Sequence, residues 1–171
     1  MSLYAPQANL NSYHTAGRSL HGVDQVRCAV RGVFVAISEA ATVPVVVLAD
    51  DAGRLLPIYV GLWEAVSINS AQNNEVPPRP FTHDLFLDLM AKFGISVDQL
   101  SVDSMEEGVY YAHLAISAGG QTESLDCRPS DGIAVALRAR APLFADEELF
   151  AGTGREESLS AMVELSAFLR K

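Results

Sequence analysis

The chain has 171 residues, 49% hydrophobic and 19% charged, which is one domain's worth of sequence with enough apolar side chains for a real core. That balance excludes a disordered chain, and no apolar run approaches the roughly 20 residues of a membrane-spanning helix. A formal net charge of −9, from 12 Lys and Arg against 21 Asp and Glu, excludes a broadly basic nucleic-acid-binding face and leaves room only for a local basic groove.

Residues 1–23 show no basic region followed by an apolar one, so a flexible polar arm is expected and not a signal peptide. A cytoplasmic location follows as the default. "VRCAVRGVFVAI" (26–37), "VPVVVLAD" (43–50) and "RLLPIYV" (54–60) are rich in β-branched residues and predict three strands of an antiparallel meander. "DDAG" supplies the turn between the second and third. Pro57 offers no N–H to a ladder, so its strand belongs at an edge or a bulge.

"LWEAVSINSAQNN" (62–74) predicts a helix, and the prolines of "EVPPRP" (75–80) predict an extended connector. "THDLFLDLMAKFG" (82–94) is the clearest helix. Leu85, Leu89 and Phe93 recur on one apolar face, with Phe86 and Met90 beside them. Thr82 is the expected N-cap, Asp84 suits the first turn, and Gly94 ends the helix.

"ISVDQLSVDSM" (95–105), "GVYYAHLAI" (108–116) and "TESLDC" (122–127) predict three more strands, joined at "EEG" and "SAGGQ". "RPSDGIAVALRARA" (128–141) predicts a helix with Pro129 at its start and Ser130 and Asp131 in its first turn. "APLFADEELF" (141–150) reads as a short helical turn, and "REESLSAMVELSAFLR" (155–170) as an amphipathic C-terminal helix. The expected fold is therefore α+β, a mostly antiparallel arrangement of about six strands with helices on one side and the C-terminal helix appended. The expected organisation is an arm over 1–23, a domain over 24–150 and the appended helix over 151–171.

Two segments carry the chemistry. "RPFTHD" (79–84) brings Arg79, Thr82, His83 and Asp84 to one helix start. "DCRPSD" (126–131) brings Arg128, Ser130 and Asp131 to another. Free N–H groups and the positive dipole end suit a helix start to anions. Arginine adds a bidentate fork, histidine a proton carrier, and carboxylates a hold on water or a divalent ion. Each residue also has a plain structural use. Thr82 and Ser130 serve as caps, Asp84 and Asp131 as dipole-friendly carboxylates, and Arg79 and Arg128 as clamps on those carboxylates. Glu64 is either a surface residue or a ligand. His113, on a strand face, reads as a satisfied structural histidine. Cys28 and Cys127 are too far apart for a disulfide framework or a zinc set and read as buried or half-buried thiols. There is no GxxxxGK[ST], HExxH, GxSxG or paired CxxC.

"LPIYVGLWEAVSI" (56–68), "PPRPFTHDL" (77–85), "EEGVYYAHL" (106–114) and "CRPSDGIAVALRARAPLF" (127–144), in this order, closely resemble the bifunctional nuclease domain family over about residues 24–150. Gly132, where alanine is commoner, and Trp63, where a smaller residue is usual, are departures. The resemblance implies a compact α+β domain that tends to form homo-oligomers and hydrolyses the phosphodiester bonds of DNA and RNA. Its characteristic residues carry over to Glu64, Arg79, Thr82, His83, Asp84, Arg128, Ser130 and Asp131.

On that footing, His83, Asp84 and Asp131 are the expected catalytic residues. Arg79, Arg128, Thr82 and Ser130 are the expected phosphate contacts. Asp84, Asp131 and Glu64 are the expected ligands of Mg²⁺ or Mn²⁺. Nucleic acid, either DNA or RNA, is the expected partner, with no membrane association. The acidic charge supports a different reading, in which the same residues form a non-enzymatic module that binds an anion or a protein.

Overall fold

The computed structural model describes residues 24–154 and 156–170. The expected arm over 1–23 lies outside them. Strands β1 (Gln25–Ile37), β2 (Thr42–Asp50) and β3 (Leu55–Tyr59) form the first meander. Helices α1 (Leu62–Gln72) and α2 (Thr82–Lys92) follow. A second meander comprises β4 (Ile95–Glu106), β5 (Val109–Ala118) and β6 (Gln121–Cys127). Gly119 and Gly120 close its last hairpin with φ of 59° and 82°, the positive values that a tight two-residue turn requires. Then come α3 (Pro129–Ala139), β7 (Leu143–Asp146), two 3₁₀ segments, β8 (Met162–Glu164) and α4 (Leu165–Phe168).

The strands make one mixed, mostly antiparallel sheet in the order β3-β2-β1-β7-β4-β5-β6, with β8 paired to β1. β7 joins the two meanders. It runs antiparallel to β1, with Cys28 opposite Leu143, and parallel to β4, with Ser101 opposite Phe144. β8 takes the other end of the same edge of β1, pairing Phe34 with Glu164. Pro57 stands in β3 at the sheet's edge, where its missing N–H costs no ladder bond.

Alternation decides which face each side chain serves. Val46, Leu48, Leu56 and Ile58 point into the main core, where they meet Ala65 and Ile68 of α1 and Ile133, Ala134 and Ala136 of α3. Val45, Val47 and Leu55 point the other way and join Phe34 in a smaller cluster covered by Leu159 and Met162. Gly132 lets α3 lie close on the sheet, because a Cβ there would stand 2.4 Å from Leu100 Cδ1 and 3.0 Å from Cys127 Sγ. The absence of a side chain at 132 therefore has a packing reason.

Two sequence expectations fail. Residues 141–150 are not a helical turn throughout. Leu143–Asp146 is a strand and only Glu147–Phe150 is a 3₁₀ turn. Residues 155–170 are not one amphipathic helix. They divide into a 3₁₀ segment, β8 and the four-residue α4, because the free edge of β1 offers ladder bonds to 162–164. The apolar residues are used nonetheless, and Leu165 is fully buried in the main core.

α2 forms as expected but does not bury its stripe. Met90 is buried, whereas Leu85, Leu89 and Phe93 are 64%, 51% and 74% exposed. With Phe86, Ile95, Ile116 and Leu125, the last two of these line an open apolar depression of about 240 Å³. Among the described residues, no helix is long and apolar enough to cross a membrane.

Candidate functional site

Three helix starts converge at one pole of the helical layer. Arg128, the residue before α3, reaches back along its own helix. Its Nε donates to Asp131 Oδ2 at 2.7 Å and its Nη2 to Asp131 Oδ1 at 3.0 Å. Its Nη1 lies 3.1 Å from Glu64 Oε1 of α1. Gly61 makes room for that carboxylate, since a Cβ there would stand 2.4 Å from Glu64 Oε2. Asp131 Oδ1 also lies 3.4 Å from His83 Nε2 of α2. The far side of the ring, Nδ1, is 2.9 Å from Ser67 Oγ of α1. One continuous chain thus runs Glu64–Arg128–Asp131–His83–Ser67, from a carboxylate through an exposed guanidinium to a buried hydroxyl.

The electrostatics follow from these contacts. Partial burial alone would raise the Asp131 carboxyl. The Arg128 hydrogen bonds and charge, with His83 beside them, outweigh it and hold Asp131 below the usual carboxylate range. Asp131 is therefore an anion at neutral pH. Cys127 is a half-buried thiol next to this pole, and burial with the nearby Asp126 and Asp131 charges pushes it up to about 12, which makes it unreactive.

The two helix starts singled out in the sequence do meet, through His83 and Asp131, but not all their residues take part. Asp84 turns away. Its Oδ2 accepts the Phe81 backbone N–H at 2.7 Å, and its Oδ1 accepts Arg138 Nε at 2.6 Å. The cap of α2 is thus Phe81 with Asp84 reaching back, and Thr82 is an exposed first helical residue instead of the cap. Likewise Arg128 holds the cap position of α3, and Ser130 is buried within its first turn without capping it. Arg79 is exposed in the connector, and Arg138, not Arg79, clamps Asp84. His113 pairs with Asp103 on the sheet and stays a structural histidine.

The three expected metal ligands do not point at one centre. Glu64 and Asp131 share Arg128, and Asp84 is held by Arg138. Among the described residues, no group of three or more His, Cys, Asp or Glu is placed to hold a metal ion. The donor set as arranged does not fit a resident divalent ion.

Sequence reasoning missed Ser67 and Arg138. Ser67 gave a weak signal as a hydroxyl on the inner side of an otherwise apolar helix. Arg138 gave none, since 54 positions separate it from Asp84.

The chain is an α+β domain in which Arg128, Asp131 and His83 join the starts of two helices. The bifunctional nuclease domain profile matches residues 46–158, and the chain belongs to that family. An uncharacterised protein of Mycobacterium tuberculosis (strain ATCC 25618 / H37Rv) is 36% identical over 126 residues, covering 73% of this chain and 75% of that protein. Bifunctional nuclease 2 of Arabidopsis thaliana is 32% identical over 103 residues, covering 58% of this chain and 31% of the plant protein. A rice relative, bifunctional nuclease 2 of Oryza sativa subsp. japonica, is 29% identical over 136 residues, 77% of this chain and 42% of that protein.

Proposed function

We propose that the chain is a nuclease that hydrolyses phosphodiester bonds of DNA and RNA at the pole where α1, α2 and α3 begin. The observation that carries this reading is the position of Asp131, shared between the 65% exposed Arg128 and His83 Nε2. Arg128 holds a non-bridging phosphate oxygen with the guanidinium edge that faces solvent. Nε2 of His83, beside Asp131, is the ring atom that gives a proton to the substrate, while Nδ1 is turned to Ser67.

In the reaction, water adds to phosphorus and the bond from phosphorus to the leaving oxygen breaks. That oxygen takes the Nε2 proton. The water proton passes to solvent, from which the ring is protonated again. Asp131 keeps the guanidinium and the ring aimed at one substrate. Arg79 in the connector and Thr82 at the start of α2 are exposed and available to further phosphates of the substrate. No step is taken through a divalent ion.

A second reading has specific support. Arg128 is already bracketed by Glu64 and Asp131 in a chain of net charge −9, which favours a small anion over a polyanion. On that reading the pole is a binding module without turnover. Cleavage of single-stranded RNA and DNA by the wild type and by Arg128→Ala separates the two. A nuclease loses roughly a hundredfold in kcat/KM when its phosphate arginine is removed. A binding module shows no cleavage in either protein.

A further inference from the structure

Trp63 is the one tryptophan of the chain and, at 78% exposed, far more open than a side chain of its size usually is. It is the second residue of α1, and long side chains on a helix lean toward the helix start, so no preceding turn of α1 lies beneath the indole. Glu64, the next residue, has its Oε1 at 3.1 Å from Arg128 Nη1. Ser67, one turn on along the same stripe, has its Oγ at 2.9 Å from His83 Nδ1. Trp63 therefore borders the pole where α1 meets both Arg128 and His83. The fold does not need an indole there, because α1 buries Ala65, Ser67, Ile68 and Ser70 instead. Nor does an arginine cover the ring, since the cation–π pairs among the described residues are Arg54 with Phe150 and Arg138 with Phe81.

We propose that Trp63 is a stacking platform that selects single-stranded nucleic acid by holding a base beside the phosphate on Arg128. This deepens the nuclease reading and rests on it for the class of substrate. At net charge −9, with Arg128 already bracketed by Glu64 and Asp131, phosphate attraction alone is weak. Stacking on an aromatic ring adds affinity that needs no basic groove and tolerates any base. The ring is blind to the sugar as well, so it serves DNA and RNA alike. It does distinguish strandedness, because in a duplex the base faces are already stacked on one another.

Because position 63 holds the one tryptophan, indole fluorescence of the full-length protein reports on it alone. The probes are a short single strand of adenine nucleotides, a strand of equal length with abasic sites in place of the bases, and a duplex, all with phosphorothioate linkages that resist cleavage. The adenine strand is expected to quench the indole to saturation, and the abasic strand and the duplex to leave it bright. By anisotropy of dye-labelled strands, Trp63→Ala should bind the adenine strand roughly ten- to a hundredfold more weakly, the worth of one stacked base. Trp63→Phe should recover most of that loss, and the abasic strand should bind wild type and Trp63→Ala equally. Equal affinity of wild type and Trp63→Ala for the adenine strand overturns the proposal, as does quenching by the abasic strand or no binding of any strand. Cleavage of a natural single strand, measured alongside, keeps the two readings apart. Quenching and weakened binding by Trp63→Ala without cleavage leave the platform in place and remove the nuclease, whereas cleavage without quenching does the reverse.

Discussion

Asp84 is bound from two sides, by the Phe81 N–H and by Arg138, whose side chain is 9% exposed. Its environment gives a definite sign to the pH dependence of stability. Burial pushes the carboxyl up, but the Arg138 bond and charge and the Phe81 N–H outweigh that and hold it below the ordinary range. The folded value therefore lies below the unfolded one. The resulting stabilisation is complete above the ordinary Asp value of about 4 and is lost as pH falls through the depressed folded value, because the unfolded chain then binds more protons. Asp84→Asn should cost about 2 kcal/mol at pH 7, the scale of a hydrogen bond to a charged group. It should also flatten the loss of stability below pH ~4. Urea unfolding at several pH values checks both. An equally steep acid loss in Asp84→Asn would show that other carboxylates set the slope.

The elements that sequence reasoning placed correctly are those with strong local signals. α2 follows a proline connector and has apolar residues at helical spacing, α3 has Pro129 at its first turn, and β1 and β2 are dense in β-branched residues while the other predicted strands are set off by turn residues. β7 was not legible because four residues, Leu143–Asp146, carry no period, and the acidic run after them favours helix. Their strand state is imposed by two neighbours, β1 and β4, that lie far away in sequence. The C-terminal segment shows the same override, since its helical spacing is real but the open edge of β1 wins. The site was half legible. The residue types at the two helix starts were legible, while their meeting through His83 and Asp131, Ser67 and the diversion of Asp84 to Arg138 depend on packing between helices. The packing also makes a prediction for the last element. Leu165 sits in a helix of only four residues yet has no exposure, so Leu165→Ala should cost about 2–4 kcal/mol by denaturant unfolding. A cost under about 0.5 kcal/mol, the size expected of a surface change, would mean that the C-terminal segment is not part of the folded unit.

Across the whole molecule, an acidic surface coexists with the open apolar stripe of α2. Copies of a chain with net charge −9 repel one another, so self-association must rest on apolar contact and strengthen as salt screens the charge. Sedimentation is expected to show a homo-oligomer favoured by higher salt and shifted toward monomer by Phe93→Asp. A monomer at all salt concentrations would leave the stripe to another partner. The most direct test of the account is the rate at which purified wild type and His83→Gln, prepared in parallel, cleave a labelled single-stranded oligonucleotide. A proton-transferring His83 implies a loss of about 10²- to 10⁴-fold in the variant, the usual contribution of such a side chain. Equal rates in the two proteins would contradict it.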